Sequence, residues 1–388
     1  MGTGGRVRVG TAAAAGYLAL QGGKAAWALR TARAVPGPRV PARSESARVV
    51  VAQPILSGDP GLEDALRDNL LALDGVRFVW LVDEDDPEGR AVAERLAAQA
   101  AQAVPAGATR IEVVTCPVTP ERTNPKLAKL QVALDGCADD EVLLALDDDT
   151  RLPAASLGAL LDGLERATIA TGLPGYLRGA TPWAALVDQF VDANAATTYL
   201  TLPPVTINGM TWAMRVDDLR ALGGFAPIAH ALTDDLALAR LVLGSGGSIC
   251  QTAAPQWITT TVDGPRHYVA LMHRWMLFAT LLLRRQPPAT AAAITVLHGL
   301  HPTLLAIVLG DAVRRRRPLG ALAVLAARGF LLRSLQRRIH GRVLHRPVAS
   351  VVAELVQPLH LVHGAVRPTI RWRTRTYRVR ADDDFRDA

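Results

Sequence analysis

The amino-acid sequence predicts an α/β protein with a doubly wound, mostly parallel sheet, followed by apolar helices that associate with a membrane. Three observations lead to this prediction. Short apolar runs alternate with amphipathic segments between residues 48 and 146, as in strands separated by helices. The last of these runs passes directly into three aspartates. Apolar stretches flanked by arginines then occupy the last third of the chain.

The alternating pattern assigns the strands and helices of the predicted sheet. Runs rich in apolar and β-branched residues predict strands at residues 49–52, 77–82, 110–114 and 142–146. Helical periodicity predicts helices between them at residues 62–73, 91–103 and 126–134. Strands joined through helices at this spacing pair in parallel, so the order indicates repeated βαβ units.

Composition and charge narrow the class of protein. The chain has 388 residues, of which 49% are hydrophobic, and this content is high for a purely soluble protein. Its formal net charge is +7, but the arginines gather around C-terminal apolar segments and not around aromatic stacking residues. A membrane surface, and not nucleic acid, is therefore the expected partner. Cys116, Cys137 and Cys250 lack the spacing of a zinc site or disulfide framework, which fits a reducing compartment.

The aspartates after the fourth predicted strand form the first candidate site. Asp147 and Asp149 follow a buried strand, and ligands of open α/β sheets bind beyond the carboxyl ends of such strands. Mg²⁺ and Mn²⁺ take carboxylate oxygens and often share them with substrate phosphates. The alternative is a polar loop that caps the next helix. Because crowded acids repel one another unless a cation compensates, we predict a metal-diphosphate site.

A second acidic segment, residues 83–86, follows the second predicted strand. Alone it is better explained as an exposed turn, but its position on the same sheet edge favours a site that holds a nucleoside. The sequence has no Gly-x-Gly-x-x-Gly after the first strand and no Walker Gly-Lys-Ser/Thr motif. Carboxylates, in place of a glycine-rich loop, are therefore the predicted anchor of a nucleotide diphosphate.

Two later segments carry further candidate residues. Thr233 is predicted to cap a helix whose first turn contains Asp234 and Asp235, where acids complement the helix dipole. This structural role competes evenly with a catalytic role for Asp235. Farther along, Arg274 and Trp275 belong to a basic and aromatic cluster on a predicted helix, and a solvated helix face explains the tryptophan poorly.

The joint order of these motifs resembles that of GT-A glycosyltransferases, and among them the ceramide glucosyltransferases and their bacterial relatives. The resemblance runs from about Val49 to Trp275 and resumes at residues 372–378. Its motifs are Asp-Asp-Pro after the second strand, Asn124-Pro125-Lys126, the Asp-rich strand end, Gly-Met then Met-Arg, Asp-Asp at a helix start, and Arg-Trp.

The resemblance implies an inverting transfer of a hexose from a nucleotide-sugar, with UDP as the expected nucleotide, to a hydroxyl of a membrane lipid. Asp235 is the implied general base, and Asp147 with Asp149 is the implied site for Mn²⁺ or Mg²⁺. The implied donor-binding residues are Asp86, Lys126, Asp147, Arg274 and Trp275. The alternatives are an enzyme that elongates a polysaccharide and a non-catalytic membrane protein that binds nucleotide-sugar.

One position departs from the pattern of the resembled family. Leu271 stands where the motif that ends in Arg274-Trp275 begins with Gln or Arg. The polar contact of that position is therefore missing, or it is supplied by a neighbour such as His267 or His273.

Three regions are predicted along the chain: residues 1–46 as a marginal membrane segment and linker, 47–285 as the GT-A domain, and 286–388 as membrane-associated helices with a basic tail. Of the apolar stretches 289–310, 319–332 and 348–365, only the first reaches the ~20 residues that a span needs. Re-entrant or interfacial helices are expected, with a buried helical core as the alternative. Basic residues after the N-terminal segment place the catalytic domain on the cytoplasmic side.

Overall fold

The structure is a computed structural model that describes residues 3–103, 110–120, 122–372, 375–381 and 384–387. The strands of its main sheet are β1 (Val49–Ile55), β2 (Arg77–Asp83), β3 (Arg110–Cys116), β4 (Val142–Leu146), β5 (Thr150–Arg151), β6 (Ile169–Leu177), β7 (Thr211–Arg215) and β8 (Ile249–Thr259). A small second sheet contains β9 (Thr369–Trp372), β10 (Arg375–Ala381) and β11 (Asp384–Asp387).

The helices begin with α1 (Thr3–Ala34), α2 (Arg43–Ser46), α3 (Leu62–Ala72), α4 (Pro87–Ala103), α5 (Pro125–Asp135), α6 (Ala154–Leu164) and α7 (Pro182–Tyr199). They continue with α8 (Val216–Ala221), α9 (Asp234–Gly244), α10 (Pro265–Arg284), α11 (Pro288–Arg315), α12 (Pro318–Ile339) and α13 (Pro347–Val366). A short 3₁₀ helix, Ala226–Ile228, precedes α9.

The main sheet has the strand order β3-β2-β1-β4-β7-β6-β8-β5. Four neighbouring pairs are parallel, and three, which involve β7 and β5, are antiparallel. The prediction of a mostly parallel sheet is therefore confirmed. Strand β1 extends past its predicted end because Gln53 and Pro54 stay in register with β2. The buried Gln53 accepts a hydrogen bond of 2.9 Å from the indole of Trp80.

Helices cover both faces of the sheet, as a doubly wound fold requires. Because side chains alternate along a strand, Val50 and Ala52 of β1 face one core while Val49 and Val51 face the other. The first core is completed by α5, α8 and α9, and the second by α3, α4 and α6. The carboxyl ends of β1, β2 and β4 therefore form one edge that remains available for a site.

Within the described residues, α11, α12 and α13 are each long and apolar enough to cross a membrane, with 28, 22 and 20 residues. The sequence predicted this length only for the first, since the other two apolar stretches are shorter, and Arg328 and Glu354 lie within them. The structure pairs these charges: a guanidinium nitrogen of Arg328 on α12 lies 2.7 Å from Glu354 Oε2 on α13. His301 Nδ1 lies 2.8 Å from the other carboxylate oxygen of Glu354. Mutual compensation lets both charges lie inside the helical bundle.

Helix α1 packs against α11 and α12, so the N-terminal segment belongs to the same bundle as the C-terminal helices. Its residues Ala13 and Tyr17 are buried beside Leu305 and Val324. The Tyr17 hydroxyl donates to Glu354 Oε1 at 3.0 Å. Residues from the two predicted terminal regions are therefore in direct contact.

The hairpin β9–β10 packs beside the start of α9. Ile370 and Val379 are buried in a cluster that includes Leu232, just before α9, and Leu277 of α10. This hairpin contains most of the second segment of the resemblance. Two positions of that segment, 373 and 374, lie outside the described residues.

Helix α7 carries two buried aspartates near the strand β6. Asp188 accepts a hydrogen bond from the backbone N–H of Gly179 at 2.8 Å, and Asp192 accepts one from that of Tyr176 at 3.0 Å. Burial raises the pKa of Asp188 to about 6 and, with help from the neighbouring Asp188 charge, that of Asp192 to about 8.

We predict that Asp192→Asn makes the protein more stable at pH 8 than wild type while changing its stability little at pH 4. The folded pKa of Asp192 is raised, so the wild-type free energy of unfolding falls as pH rises from the unfolded value near 4 to about 8. Asparagine resembles the protonated form and keeps an acceptor for Tyr176. One pKa unit corresponds to about 1.4 kcal/mol, so the difference at pH 8 should reach at least that value. Thermal unfolding in detergent across this range measures it, and parallel curves for the two proteins would contradict the burial effect.

Candidate active site

Lys126 joins acidic residues from two different elements at the carboxyl edge of the sheet. Its ammonium nitrogen lies 2.7 Å from Asp147 Oδ1, just after β4, and 2.8 Å from Asp234 Oδ2, at the start of α9. It also donates to the carbonyl oxygen of Gly209 at 2.8 Å. Burial disfavours the charged ammonium, but the two carboxylates outweigh it and hold the pKa of Lys126 above its usual range. The lysine is therefore a permanent cation that holds three segments together.

The motif Asn124-Pro125-Lys126 explains how the lysine is positioned. Asn124 caps α5, because its side-chain oxygen accepts from the backbone N–H of Lys126 at 2.9 Å. The amide nitrogen of Asn124 donates to the carbonyl oxygens of Ala231 and Leu232, at 3.0 and 3.3 Å. Proline suits the first helical position, which has no intrahelical partner for an N–H. The motif therefore fastens the start of α5 to the loop before α9.

The three aspartates after β4 point in different directions. Asp148 is buried, and its carboxylate accepts from the backbone N–H of Leu56 at 2.9 Å. Asp147 and Asp149 are partly exposed at the sheet edge. The middle residue thus anchors the loop to the end of β1, and its neighbours face the candidate site.

The site carries more negative charge than Lys126 neutralises. Burial raises the pKa of Asp147 to about 6, with Lys126 opposing and Asp234 adding to the rise. Burial and the charges of Asp147, Asp148 and Asp59 raise the pKa of Asp149 to about 8. Both shifts show that the ionised carboxylates need a further positive charge nearby.

The donor set at Asp147 and Asp149 fits a divalent cation that is shared with a substrate. The described part of the chain contains no group of three or more His, Cys, Asp or Glu side chains placed to hold a metal alone. Mg²⁺, however, is usually bound by one or two carboxylates together with substrate phosphates and water. Two adjacent carboxylates with raised pKa values meet this requirement.

A second lysine of α5 contacts the neighbouring strand ends. Sequence reasoning did not single it out. The buried Lys129 lies 2.7 Å from Asp83 Oδ2 at the end of β2 and donates to the carbonyl oxygen of Ile55 at 3.0 Å. The other carboxylate oxygen of Asp83 is buried and has no hydrogen-bond partner among the described residues. The spacing of the two lysines could have indicated this contact, because residues 126 and 129 lie on one face of the same helix.

Asp86 occupies the N-terminal end of α4 and is buried. Its carboxylate accepts from the backbone N–H of Gly89 at 3.0 Å and from that of Ser57 at 2.8 Å. Burial acts to raise the pKa of Asp86, but these hydrogen bonds and the charge of Lys129 hold it below its usual value. Asp86 thus stays ionised and links the loop after β1 to α4, while its contact with a nucleotide remains a prediction.

Asp235 lies half-buried in the first turn of α9, next to Asp234. Its Oδ1 accepts from the backbone N–H of Leu236 at 2.8 Å. Thr233 occupies the N-cap position as predicted, but its side chain makes no capping hydrogen bond within the described structure. The phenol of Tyr199 is close enough that, after burial, the Asp235 charge helps to raise its pKa.

Arg274 and Trp275 both lie near Tyr176, which is also close to the carboxylate edge. Burial and the charge of Asp149 raise the pKa of Tyr176, and Arg274 opposes this rise, so both charges lie near its phenol. The Trp275 ring packs edge-on against Tyr176 at 6.2 Å between centroids. Leu271 packs in the same apolar cluster. These contacts bring Arg274 and Asp149 to one region of the molecule.

Both histidines considered as substitutes at position 271 have other contacts. His273 is buried, and its Nε2 donates to the carbonyl oxygen of Thr369 on β9 at 3.0 Å. His267 Nδ1 lies 3.3 Å from Asp263 Oδ1 near the surface. Position 271 therefore contributes an apolar contact.

The sheet and its acidic carboxyl edge have the architecture of a GT-A glycosyltransferase, and α11, α12 and α13 are long and apolar enough to cross a membrane. The sequence profile of glycosyl transferase family 21 matches residues 14–385, and the chain belongs to this family. No curated protein matches the chain.

The chain is similar to two solved structures. The mannosyltransferase PcManGT from Pyrobaculum calidifontis, in complex with GDP-Man and Mn²⁺, is 18% identical, with a TM-score of 0.51 over 92% of this chain and 97% of that one. Residues 1–349 of TarS from S. aureus are 11% identical, with a TM-score of 0.36 over 88% of this chain and 98% of that one. The first likeness supports the GT-A fold, and the predicted resemblance is confirmed.

We predict that Lys126→Gln destabilises the protein because it leaves Asp147 and Asp234 facing each other without a cation. Breaking a buried ion pair costs about 3–5 kcal/mol, and the partly exposed side chains here reduce the expected loss to about 1–3 kcal/mol. Chemical denaturation of wild type and variant in detergent measures the loss.

Arg67→Gln is the matched control for this substitution, since Arg67 pairs with Glu63 on the surface of α3. An exposed pair contributes at most about 1 kcal/mol. A Lys126→Gln loss no larger than that of the control would contradict the role given to Lys126.

Proposed function

We propose that the protein is an inverting glycosyltransferase that moves a hexose from a nucleotide-sugar, with UDP as the expected nucleotide, to a hydroxyl of a membrane lipid. One observation carries this proposal: Lys126 connects the strand-end carboxylate Asp147 to the helix start that bears Asp234 and Asp235. A diphosphate bound at the sheet edge and a hydroxyl bound at Asp235 would therefore be neighbours. This proximity is what a direct displacement requires.

In the proposed complex, Asp147 and Asp149 would hold Mn²⁺ or Mg²⁺. When bound, the ion would supply charge stabilisation for the departing nucleotide. The raised pKa values of both carboxylates support this assignment, as does the complex of the mannosyltransferase with GDP-Man and Mn²⁺. Arg274 adds a fixed positive charge on the side of Asp149.

We assign the remaining donor contacts to the neighbouring strand ends and to α10. Asp86, directly before the first residue of α4, would contact the nucleoside. Trp275 would close one side of the donor site. Lys126, already bound to Asp147, contributes charge close to the diphosphate. Leu271 makes this side of the site more apolar than the resembled motif implies.

Asp235 is the proposed general base. The acceptor oxygen forms a bond to the anomeric carbon, the bond from that carbon to the phosphate oxygen breaks, and the nucleotide diphosphate leaves. The hydroxyl proton passes to the Asp235 carboxylate. Asp235 directly follows Asp234, the carboxylate that pairs with Lys126. Its partial exposure gives an acceptor access to it.

The lipid acceptor is proposed from the position of the apolar helices. Helix α10, which carries Arg274, packs against α13, and α13 is long and apolar enough to cross a membrane. We retain residues 47–285 as the catalytic domain and residues 286–388 as the membrane region. The basic residues that follow the N-terminal segment support a cytoplasmic catalytic side.

We expect Asp147→Ala and Asp149→Ala to weaken metal-dependent donor binding by at least about 10- to 100-fold, as loss of groups that hold a metal does. Isothermal calorimetry with UDP-hexoses in the presence of Mn²⁺ or Mg²⁺ measures the affinity. Asp139→Ala, which removes an exposed carboxylate paired with Arg220, is the control. Wild-type affinity in both site variants would remove the metal role.

Replacing Asp235 by asparagine should reduce turnover by ~10² to 10⁴ while donor affinity stays near that of wild type. Asp217→Asn is a closely matched control, because Asp217 also lies in the first turn of a helix and accepts from the next backbone N–H at 2.8 Å. If helix support were the role of Asp235, both variants would lose a few tenths to about 1 kcal/mol of stability and keep near-normal turnover. More than about a tenth of wild-type turnover in Asp235→Asn would exclude the base role.

A further inference from the structure

A cleft lies between the end of α12, the start of α13 and α7, away from the carboxylate edge. It consists of two adjoining cavities of about 840 and 610 Å³, and both are lined by His345 and Pro347. Within the described structure, the candidate donor and metal residues take no part in the lining of either cavity. Its volume is large enough for a lipid headgroup and part of an acyl chain.

Positive charge lines the larger cavity. Arg333 and Arg337 are one turn apart on α12, and Arg338 is adjacent to the second. None of the three has a carboxylate within ion-pair distance in the described part of the chain, whereas Arg315 at the end of α11 lies 2.8 Å from Asp311. Arg346 lines the second cavity. The larger cavity therefore presents three cationic groups without an ion-paired carboxylate among the described residues, whereas Arg346 lies near Asp188.

His345 connects the two cavities and is itself unsatisfied. Its residue surface is only 8% exposed, and neither ring nitrogen has a hydrogen-bond partner among the described residues. Burial and the charges of Arg328 and Arg333 lower the pKa of His345 to about 4, so at neutral pH it offers one N–H donor. An unpartnered buried polar group costs free energy, which an oxygen of a bound anion would recover.

The walls beyond the arginines are apolar and follow two helices that can cross a membrane. Phe330 lies on α12 and is 75% exposed, and Val348 on α13 is 79% exposed. The ion pair between Arg328 of α12 and Glu354 of α13, at 2.7 Å, shows that the two helices lie side by side near this cleft. A molecule with an anionic head and an apolar tail would match the charge at one end and the side chains along the helices.

We propose that this cleft binds an anionic phospholipid, with its phosphate held by Arg333, Arg337 and His345 and its acyl chain against Phe330 and Val348. The site goes beyond glycosyl transfer, because its occupation requires neither the nucleotide-sugar nor the residues at the sheet edge. A bound lipid there would fix the position of α12 and α13 relative to the membrane surface.

Native mass spectrometry of the full-length protein in detergent tests the proposal without any donor sugar. Phosphatidylglycerol and phosphatidylcholine with the same acyl chains are titrated separately, and inorganic phosphate is added as a competitor. We expect phosphatidylglycerol to bind at least about tenfold more tightly, which is ~1.4 kcal/mol, and to stay bound in millimolar phosphate. Equal affinity for the two lipids, or displacement by phosphate, would overturn the proposal.

The variants make the site assignment specific. Arg333→Gln/Arg337→Gln should abolish the preference for phosphatidylglycerol, and Arg333→Lys/Arg337→Lys should retain part of it because the charge remains. Arg316→Gln/Arg317→Gln removes the same charge at the other end of α12 and should bind as wild type.

His345→Leu provides a second test that leaves every arginine in place, with a several-fold loss expected. An unchanged preference in both Arg333→Gln/Arg337→Gln and His345→Leu, or an equal loss in the Arg316 and Arg317 control, would contradict the proposed site.

Discussion

The ammonium of Lys126 determines how the two halves of the site meet. One of its carboxylate partners, Asp147, ends a strand of the parallel half of the sheet, and the other, Asp234, begins a helix about ninety residues later in the chain. Asn124 reinforces the same connection through the backbone of the loop before α9. Helix α5 therefore positions both parts of the site. Its Lys129, on the same face as Lys126, pairs with Asp83 at the end of β2.

The protein contains two groups of buried charged residues, and their charges are compensated to different extents. In the helical bundle, Glu354 is surrounded by Arg328, His301 and Tyr17, so its charge is compensated inside the protein. At the sheet edge the compensation is incomplete, and the pKa of Asp149 rises to about 8 through burial and neighbouring carboxylates. The first arrangement stabilises helix packing. The second leaves an electrostatic requirement that a ligand with positive charge can meet.

The sequence predicted the elements that local pattern determines. The strands around β1 follow from apolar runs, and the strand-end acids from the position of Asp147 and Asp149 after such a run. The inward direction of Asp148 was not predicted, because Asp148 lies in a turn and its partner at Leu56 depends on how β1 and β4 pair. The contacts of Lys126 could not be predicted either, because its second partner, Asp234, belongs to a segment that is distant in sequence. The predicted apolar stretch 319–332 was shorter than α12, which continues past Arg333 to Ile339.

The most direct test of the proposed transfer is the product itself. Purified protein in lipid vesicles is incubated with a panel of nucleotide-sugars and Mn²⁺ or Mg²⁺, and the lipid fraction is analysed by mass spectrometry. The account predicts a lipid whose mass increases by one hexose, only in the presence of metal and only with Asp235 intact. A protein that binds the donor but leaves every lipid unchanged, or that places the sugar on a water-soluble glycan, would contradict it.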